Sequence, residues 1–183
     1  MEIIKTLNIG IRKYDEIRKE KYKHTSNVRQ YFYVSDAGKC MRKLYFDFDE
    51  KVEAKPLSEE LLAKFNYGNE AHERIVGYLR LGGIKVEDEI SLPSNEPNIH
   101  GRCDGILTEL DTNKRLIVEI KTINLRDVKQ PMKEHILQLQ LYLHYLKIDD
   151  GILLYESKHT NNFFVFDIKY DLVMVNEILN YFK

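Results

Sequence analysis

Residues 100–122, HGRCDGILTELDTNKRLIVEIKT, decide how this chain folds. Two runs with strand character flank a polar Asp-Thr-Asn turn, which predicts a hairpin over 100–109 and 115–122. In a strand, residues two apart share a face, so Ile117, Glu119 and Lys121 point one way and Leu116, Val118 and Ile120 the other. A turn centred between Asp111 and Thr112 makes the numbers of paired residues total 223, which sets Asp104 opposite Glu119. Residues so placed have Cβ atoms roughly 4.5–5.5 Å apart, so two carboxylates and an ammonium converge on one spot. A turn one residue longer would point Asp104 away.

Like charges cannot be buried side by side without a cation or a proton between them. Oxygen ligands favour a hard divalent ion such as Mg²⁺ or Mn²⁺, beside which Lys121 would meet a bound water or a developing phosphate charge. The blander alternative pairs Glu119 with Lys121 along an edge strand and leaves Asp104 in a turn.

Around this hairpin the chain reads as α, α, α, β, β, β, α, β, β, α. Ile3, Ile4, Leu7, Ile11 and Tyr14 lie on one side of a helix over 3–22. Ser35 and Asp36 are placed to cap a short helix through about Phe46, and Ser58 caps a longer one ending near Gly82 and Gly83. Ile84, Val86 and Ile90 mark a strand, and PSNEPN a turn. After Pro131, MKEHILQLQLYLHYLK is apolar on nearly all sides, as befits a helix buried on more than one face. GILLYES and NFFVFDIK read as strands and VMVNEILNYFK as a closing helix. This order implies an α/β domain with one mixed sheet between helices.

The 183 residues suit a single domain, 1–183, with a basic helical part over about 1–47. Residues 1–43 hold eleven Lys/Arg against five acids, a net charge of +6, and the remainder sums to −7. A polyanion should therefore prefer the N-terminal third, where Lys39, Arg42 and Lys43 form a basic cluster among aromatic residues. No apolar run approaches the roughly 20 residues of a membrane span, and the first residues lack a signal-peptide layout. Two cysteines, Cys40 and Cys103, make no disulfide framework. The expectation is a cytoplasmic protein without a membrane partner.

Weaker signals stand elsewhere. Gly68 and His72 lie one turn apart on the third helix, and Gln138 and Tyr142 are likewise four apart on the helix after the hairpin. Taken singly, His72 reads as a core histidine, and Gln138 and Tyr142 as a polar stripe. In order, Gly68-x-x-x-His72, Gly101-x-x-Asp104, Glu119-x-Lys121 and Gln138-x-x-x-Tyr142 resemble the RecB-like branch of the PD-(D/E)XK nucleases over about residues 30–160.

The resemblance implies a restriction-endonuclease-like fold and metal-dependent hydrolysis of DNA phosphodiesters. His72, Asp104 and Glu119 would then hold Mg²⁺ or Mn²⁺ with the Ile120 carbonyl. Lys121 would assist the water, and Gln138 and Tyr142 would orient Lys121 and the DNA. SDAGKCMRKLYFDF is similar to the N-terminal region of the CRISPR-adaptation nucleases in this branch, with Cys40 in the place of their first cluster cysteine. Those relatives use three further cysteines near the C-terminus, and this chain has none after Cys103. No iron-sulfur cluster is expected, since one needs about four thiolates. Cys40 is expected in the core beside the Lys39, Arg42 and Lys43 cluster, and Cys103 inside, on the far side of the strand from Asp104.

The activity expected is an exonuclease on DNA ends or single strands with little sequence preference, with DNA as partner and recombination or replication proteins as candidates beside it. A structure-specific endonuclease, resolvase or nickase, uses the same chemistry. A catalytically inactive nucleic-acid-binding module is the rival of another class.

Overall fold

The computed structural model describes residues 3–21, 29–49, 56–93, 95–109 and 111–182. Along them run α1 (Ile3–Lys21), β1 (Phe32–Tyr33), a 3-10 turn (Val34–Asp36), α2 (Met41–Phe48), α3 (Glu59–Leu81), β2 (Lys85–Ser91) and β3 (Ile99–His100). There follow β4 (Arg102–Thr108), β5 (Arg115–Ile123), α4 (Lys133–Leu146), β6 (Asp150–Ser157), β7 (Phe163–Lys169) and α5 (Leu172–Tyr181).

Five strands form one sheet in the order β2-β4-β5-β6-β7. Within this sheet β5 and β6 pair in parallel and the other neighbours antiparallel, and α4 supplies the crossover that parallel neighbours require. β5 therefore lies at the centre, bonded on both sides, so Glu119 and Lys121 do not sit on an edge. The hairpin pairs Gly105 with Val118, Ile106 with Ile117, Leu107 with Leu116 and Thr108 with Arg115, the expected register. At the turn Glu109 N donates to Lys114 O (3.0 Å), the Thr112 hydroxyl donates to Glu109 Oε2 (2.7 Å), and Asn113 takes a left-handed φ of 54°. Asn tolerates that conformation because its short side chain bonds locally.

Helices cover both faces. On one, Ile75 and Val76 of α3 pack on Val86, Leu107, Val118, Ile120 and Leu154. On the other, Leu139, Leu141 and Leu143 of α4, with Ile178 of α5, join Ile106, Ile117, Leu153 and Tyr155. Leu139, Leu141 and Leu143 are all buried, because α4 lies between the sheet and α5. Burying each such leucine is worth about 1.5–3 kcal/mol. The result is a restriction-endonuclease-like mixed sheet flanked by helices on both sides.

Ser58 caps α3 as expected, its Oγ accepting from Leu61 N (3.3 Å), and Gly83 at φ 90° follows the helix end. Three expectations need correction, and one element was not foreseen. Ser35 and Asp36 do not cap α2: Asp36 is buried, accepts from Tyr33 N (2.7 Å) and pairs with Arg29 and Lys39, while α2 starts later, after Cys40. Cys40 is exposed rather than in the core. β1 and β3 form a separate parallel pair that the sequence pattern did not announce, each being too short to show a period. Most of the apolar stripe of α1 is exposed, Ile3 at 58 % and Ile4 at 70 %, with Ile11 half-buried, although the helix packs along α3 and pairs Arg12 with Glu59 (2.6 Å). No helix among the described residues is long and apolar enough to cross a membrane.

Candidate active site

The ladder between β4 and β5 gives way at Asp104. Gly105 still pairs with Val118, but the next amide of β5 on that side, Ile120 N–H, donates to the side chain of Asp104 (Oδ2, 2.7 Å). The Asp104 carboxylate thus stands where a neighbouring backbone carbonyl would otherwise be, in a split between two strands. Its other oxygen, Oδ1, meets His72 Nδ1 of α3 at 3.1 Å. Burial pulls the His72 ring towards the neutral form, but the hydrogen bond and charge of Asp104, with Glu119 behind it, hold its pKa above the usual histidine value.

Glu119 comes to the same split from β5 and is almost fully buried. Its Oε1 accepts from Gln138 Nε2 of α4 (2.7 Å) and pairs with Lys121 Nζ (2.6 Å). Its Oε2 is buried without a hydrogen-bond partner. Burial first, and then the charge of Asp104, push the Glu119 carboxyl up to about 7 against the opposing pull of Lys121 and His72. Burial alone would lower the Lys121 pKa, yet Glu119 and Asp104 raise it, so its ammonium stays charged.

No protein-family model matches the sequence. Among curated proteins, the chain is 29 % identical over 147 residues to the CRISPR-associated exonuclease Cas4 of Saccharolobus solfataricus, covering 76 % of this chain and 70 % of that protein. Among solved structures, SSO0001 superposes with a TM-score of 0.66 at 22 % identity, over 91 % of this chain and 82 % of that one. The alkaline exonuclease LHK-Exo of Laribacter hongkongensis gives a TM-score of 0.60 at 16 % identity, over 82 % and 83 %. The chain has the RecB-like PD-(D/E)XK nuclease fold.

In this RecB-like fold each glycine and helix residue of the four motifs finds a physical place. A Cβ on Gly101 would come 2.4 Å from Val34 Cγ2 and 3.2 Å from Tyr142 Cε1, so glycine lets the start of β4 lie against the 3-10 turn, with α4 close by. A Cβ on Gly68 would meet nothing, which leaves open space one turn before His72. Gln138 is bonded to Glu119 and reaches Lys121 only through it, a refinement of the expected role. Tyr142 does not fit the expectation of a DNA contact: it is 3 % exposed and its hydroxyl donates to the Arg102 carbonyl (2.9 Å). From there it props the start of β4, two residues before Asp104.

Lys39, Arg42 and Lys43 lie together at the start of α2. Lys39 pairs with Asp36 (3.0 Å), Lys43 with Asp47 (3.2 Å), and the Arg42 guanidinium lies 5.9 Å from the Phe46 ring centre. Cys103 is fully buried. Sequence reasoning missed two neighbours of the site. His135 Nδ1 lies 2.9 Å from the Tyr155 hydroxyl beside Lys121, and burial together with that ammonium pushes His135 down to about 4. A cavity of about 320 Å³ is lined by Arg18, Asn69, His72, Glu73, Arg102 and Asp104 among others. Nothing in the local pattern marked His135, Arg18 or Arg102, because their partners come from distant elements.

A divalent cation suits this donor set. Carboxylate oxygens and an imidazole nitrogen are ligands for Mg²⁺ or, with the nitrogen, Mn²⁺. The Oε2 of Glu119, buried without a hydrogen-bond partner, is an oxygen donor that a cation would satisfy. Among the described residues no three acidic, His or Cys side chains stand as a ready metal cage. The Ile120 carbonyl projects to the same side of β5 as its N–H, towards Asp104.

Proposed function

We propose that the chain is a metal-dependent deoxyribonuclease that hydrolyses phosphodiester bonds, an exonuclease on DNA ends or single strands with little sequence preference. The observation that carries this reading is the Glu119 carboxylate, buried next to Asp104 with one oxygen unpartnered and a lysine on the other. The names of the relatives, CRISPR-associated exonuclease and alkaline exonuclease, favour an exonuclease over an endonuclease.

In this reading Asp104, Glu119, His72 and the Ile120 carbonyl hold Mg²⁺ or Mn²⁺. Bound there, such an ion would supply Lewis-acid polarisation of the phosphate and a lowered proton affinity for a water. The remaining work falls to the chain's own residues. Lys121, kept protonated by Glu119 and Asp104, offers N–H donors to the negative charge that develops on the phosphate oxygens. Gln138 fixes the Glu119 carboxylate through Oε1 and leaves Oε2 for the ion, and Tyr142 fixes the backbone from which Asp104 projects. The basic N-terminal third, with Lys39, Arg42 and Lys43, would hold the backbone of DNA without reading its bases.

One gel tests the proposal: Mn²⁺ or Mg²⁺ with 5'- or 3'-labelled linear DNA, single- and double-stranded, beside circular DNA. Mononucleotides or short products from linear DNA, with circles intact, are expected; nicked circles would turn the reading to an endonuclease. Asp104→Ala should lose all cleavage and keep DNA binding, and wild-type cleavage by that variant would sink the site. Stabilisation on heating with Mn²⁺ checks the metal separately, since a ligand of the folded state raises Tm.

A further inference from the structure

Helix α1 turns a mixed face to the fold, on which Ile11, Asp15 and Arg18 are half-buried. Ile4 and Ile17 are 70 % and 66 % exposed, whereas the side chain of Arg18 keeps only 19 % of its surface. A helix held by hydrophobic docking shelters its isoleucines and shows its arginines. Arg18 lines the cavity that His72 and Asp104 also line, with Arg102 of β4 and Asn69 of α3 beside them.

We propose that α1 is part of the substrate site and that Arg18, with Arg102, grips a backbone phosphate of the nucleic-acid strand against the His72–Asp104 end of the split. The inference rests on the nuclease reading and adds to it a binding element from outside the sheet. A guanidinium is suited to the task, being always charged and presenting its donors in a fork that matches two phosphate oxygens. Arg102 is well placed for the same anion, because the Tyr142 hydroxyl fixes its carbonyl and the chain runs on within two residues to Asp104. Each guanidinium rests near a carboxylate, Arg18 3.9 Å from Glu73 and Arg102 3.4 Å from Glu89. The rival account is that Arg18 merely ties α1 to Glu73 of α3.

Binding of the full chain to a fluorescent single-stranded oligonucleotide in EDTA, followed by anisotropy over a range of salt, separates the two accounts without cleavage. Arg18→Ala should weaken binding about tenfold, the worth of one charge-assisted contact. It should also reduce the slope of log affinity against log salt by about 0.7, the value for one phosphate on a single strand. Arg18→Lys should restore part of both, and Glu73→Gln should bind at least as tightly as wild type. Unchanged affinity and slope in Arg18→Ala would overturn the proposal, as would a loss in Glu73→Gln equal to that in Arg18→Ala. Wild-type binding in EDTA combined with no cleavage in the Mn²⁺ or Mg²⁺ gel would remove the nuclease reading alone, with the Arg18 comparison still decisive; no wild-type binding would overturn both.

Discussion

Glu119→Gln should stabilise the metal-free protein relative to wild type as the pH rises, an unusual outcome for a residue placed at the centre of an active site. In the fold its carboxyl titrates at about 7, against 4.5 for an unperturbed glutamic acid. The folded value is the higher one, so it is the protonated carboxyl that suits the fold. Its favourable contribution is complete below about pH 4.5 and is lost as the pH rises through 7. Above 7 the loss amounts to on the order of 3 kcal/mol. Glutamine mimics the protonated form and does not titrate. It also puts an amide N–H₂ where Oε2 has no partner, at a cost of about 1–3 kcal/mol that is independent of pH. The informative quantity is therefore the change with pH of the difference between the two proteins. Between pH 5 and pH 8 in EDTA, wild type should lose about 2–3 kcal/mol relative to the variant, or about 5–10 °C in Tm for a chain of this size. Thermal denaturation followed by circular dichroism measures it. With Mn²⁺ the order should reverse, since only wild type keeps the ligand. Parallel Tm curves from pH 5 to pH 8 would refute the reasoning, because Glu119 could not then be a carboxylate strained by burial and by Asp104.

Other outcomes follow from single contacts. Gly101→Ala must push a Cβ into Val34, 2.4 Å away, and should cost about 1–3 kcal/mol in urea denaturation. Tyr142→Phe loses the bond to the Arg102 carbonyl; about 1 kcal/mol of stability should go with it, and cleavage should slow more than DNA binding weakens. Arg74→Met leaves the buried Glu156 carboxylate without the guanidinium that holds both its oxygens (2.8 and 2.7 Å). Because Arg74 is partly solvated, the expected loss is about 1–3 kcal/mol, read from the same denaturation curves.

The hairpin at 100–122 was legible because its information is local. An even number of residues between Glu109 and Lys114 sets the register, and the register puts Asp104 and Glu119 at one place. The α4 pattern was legible for a similar reason: leucines on nearly every side leave no wet face. His72 and Gln138 could be marked only by their company with the other motifs, since a lone polar residue on an apolar helix face has many uses. The α1 stripe misled, because periodicity reports which side of a helix is apolar and not whether anything covers it.

By itself, then, the sequence determined the order of elements, the hairpin register and the set of polar residues that an apolar strand and two helices carry into the fold. Local sterics and side-chain period are enough for these. Only the tertiary structure decided that β5 is central, that Glu119 Oε2 is buried without a partner, that Tyr142 faces the Arg102 backbone rather than solvent, and that Arg18 of α1 reaches the cavity of Asp104. Each depends on which distant segments meet. Burial, and the electrostatics that follow from it, belong to the assembled packing and to no stretch of chain alone.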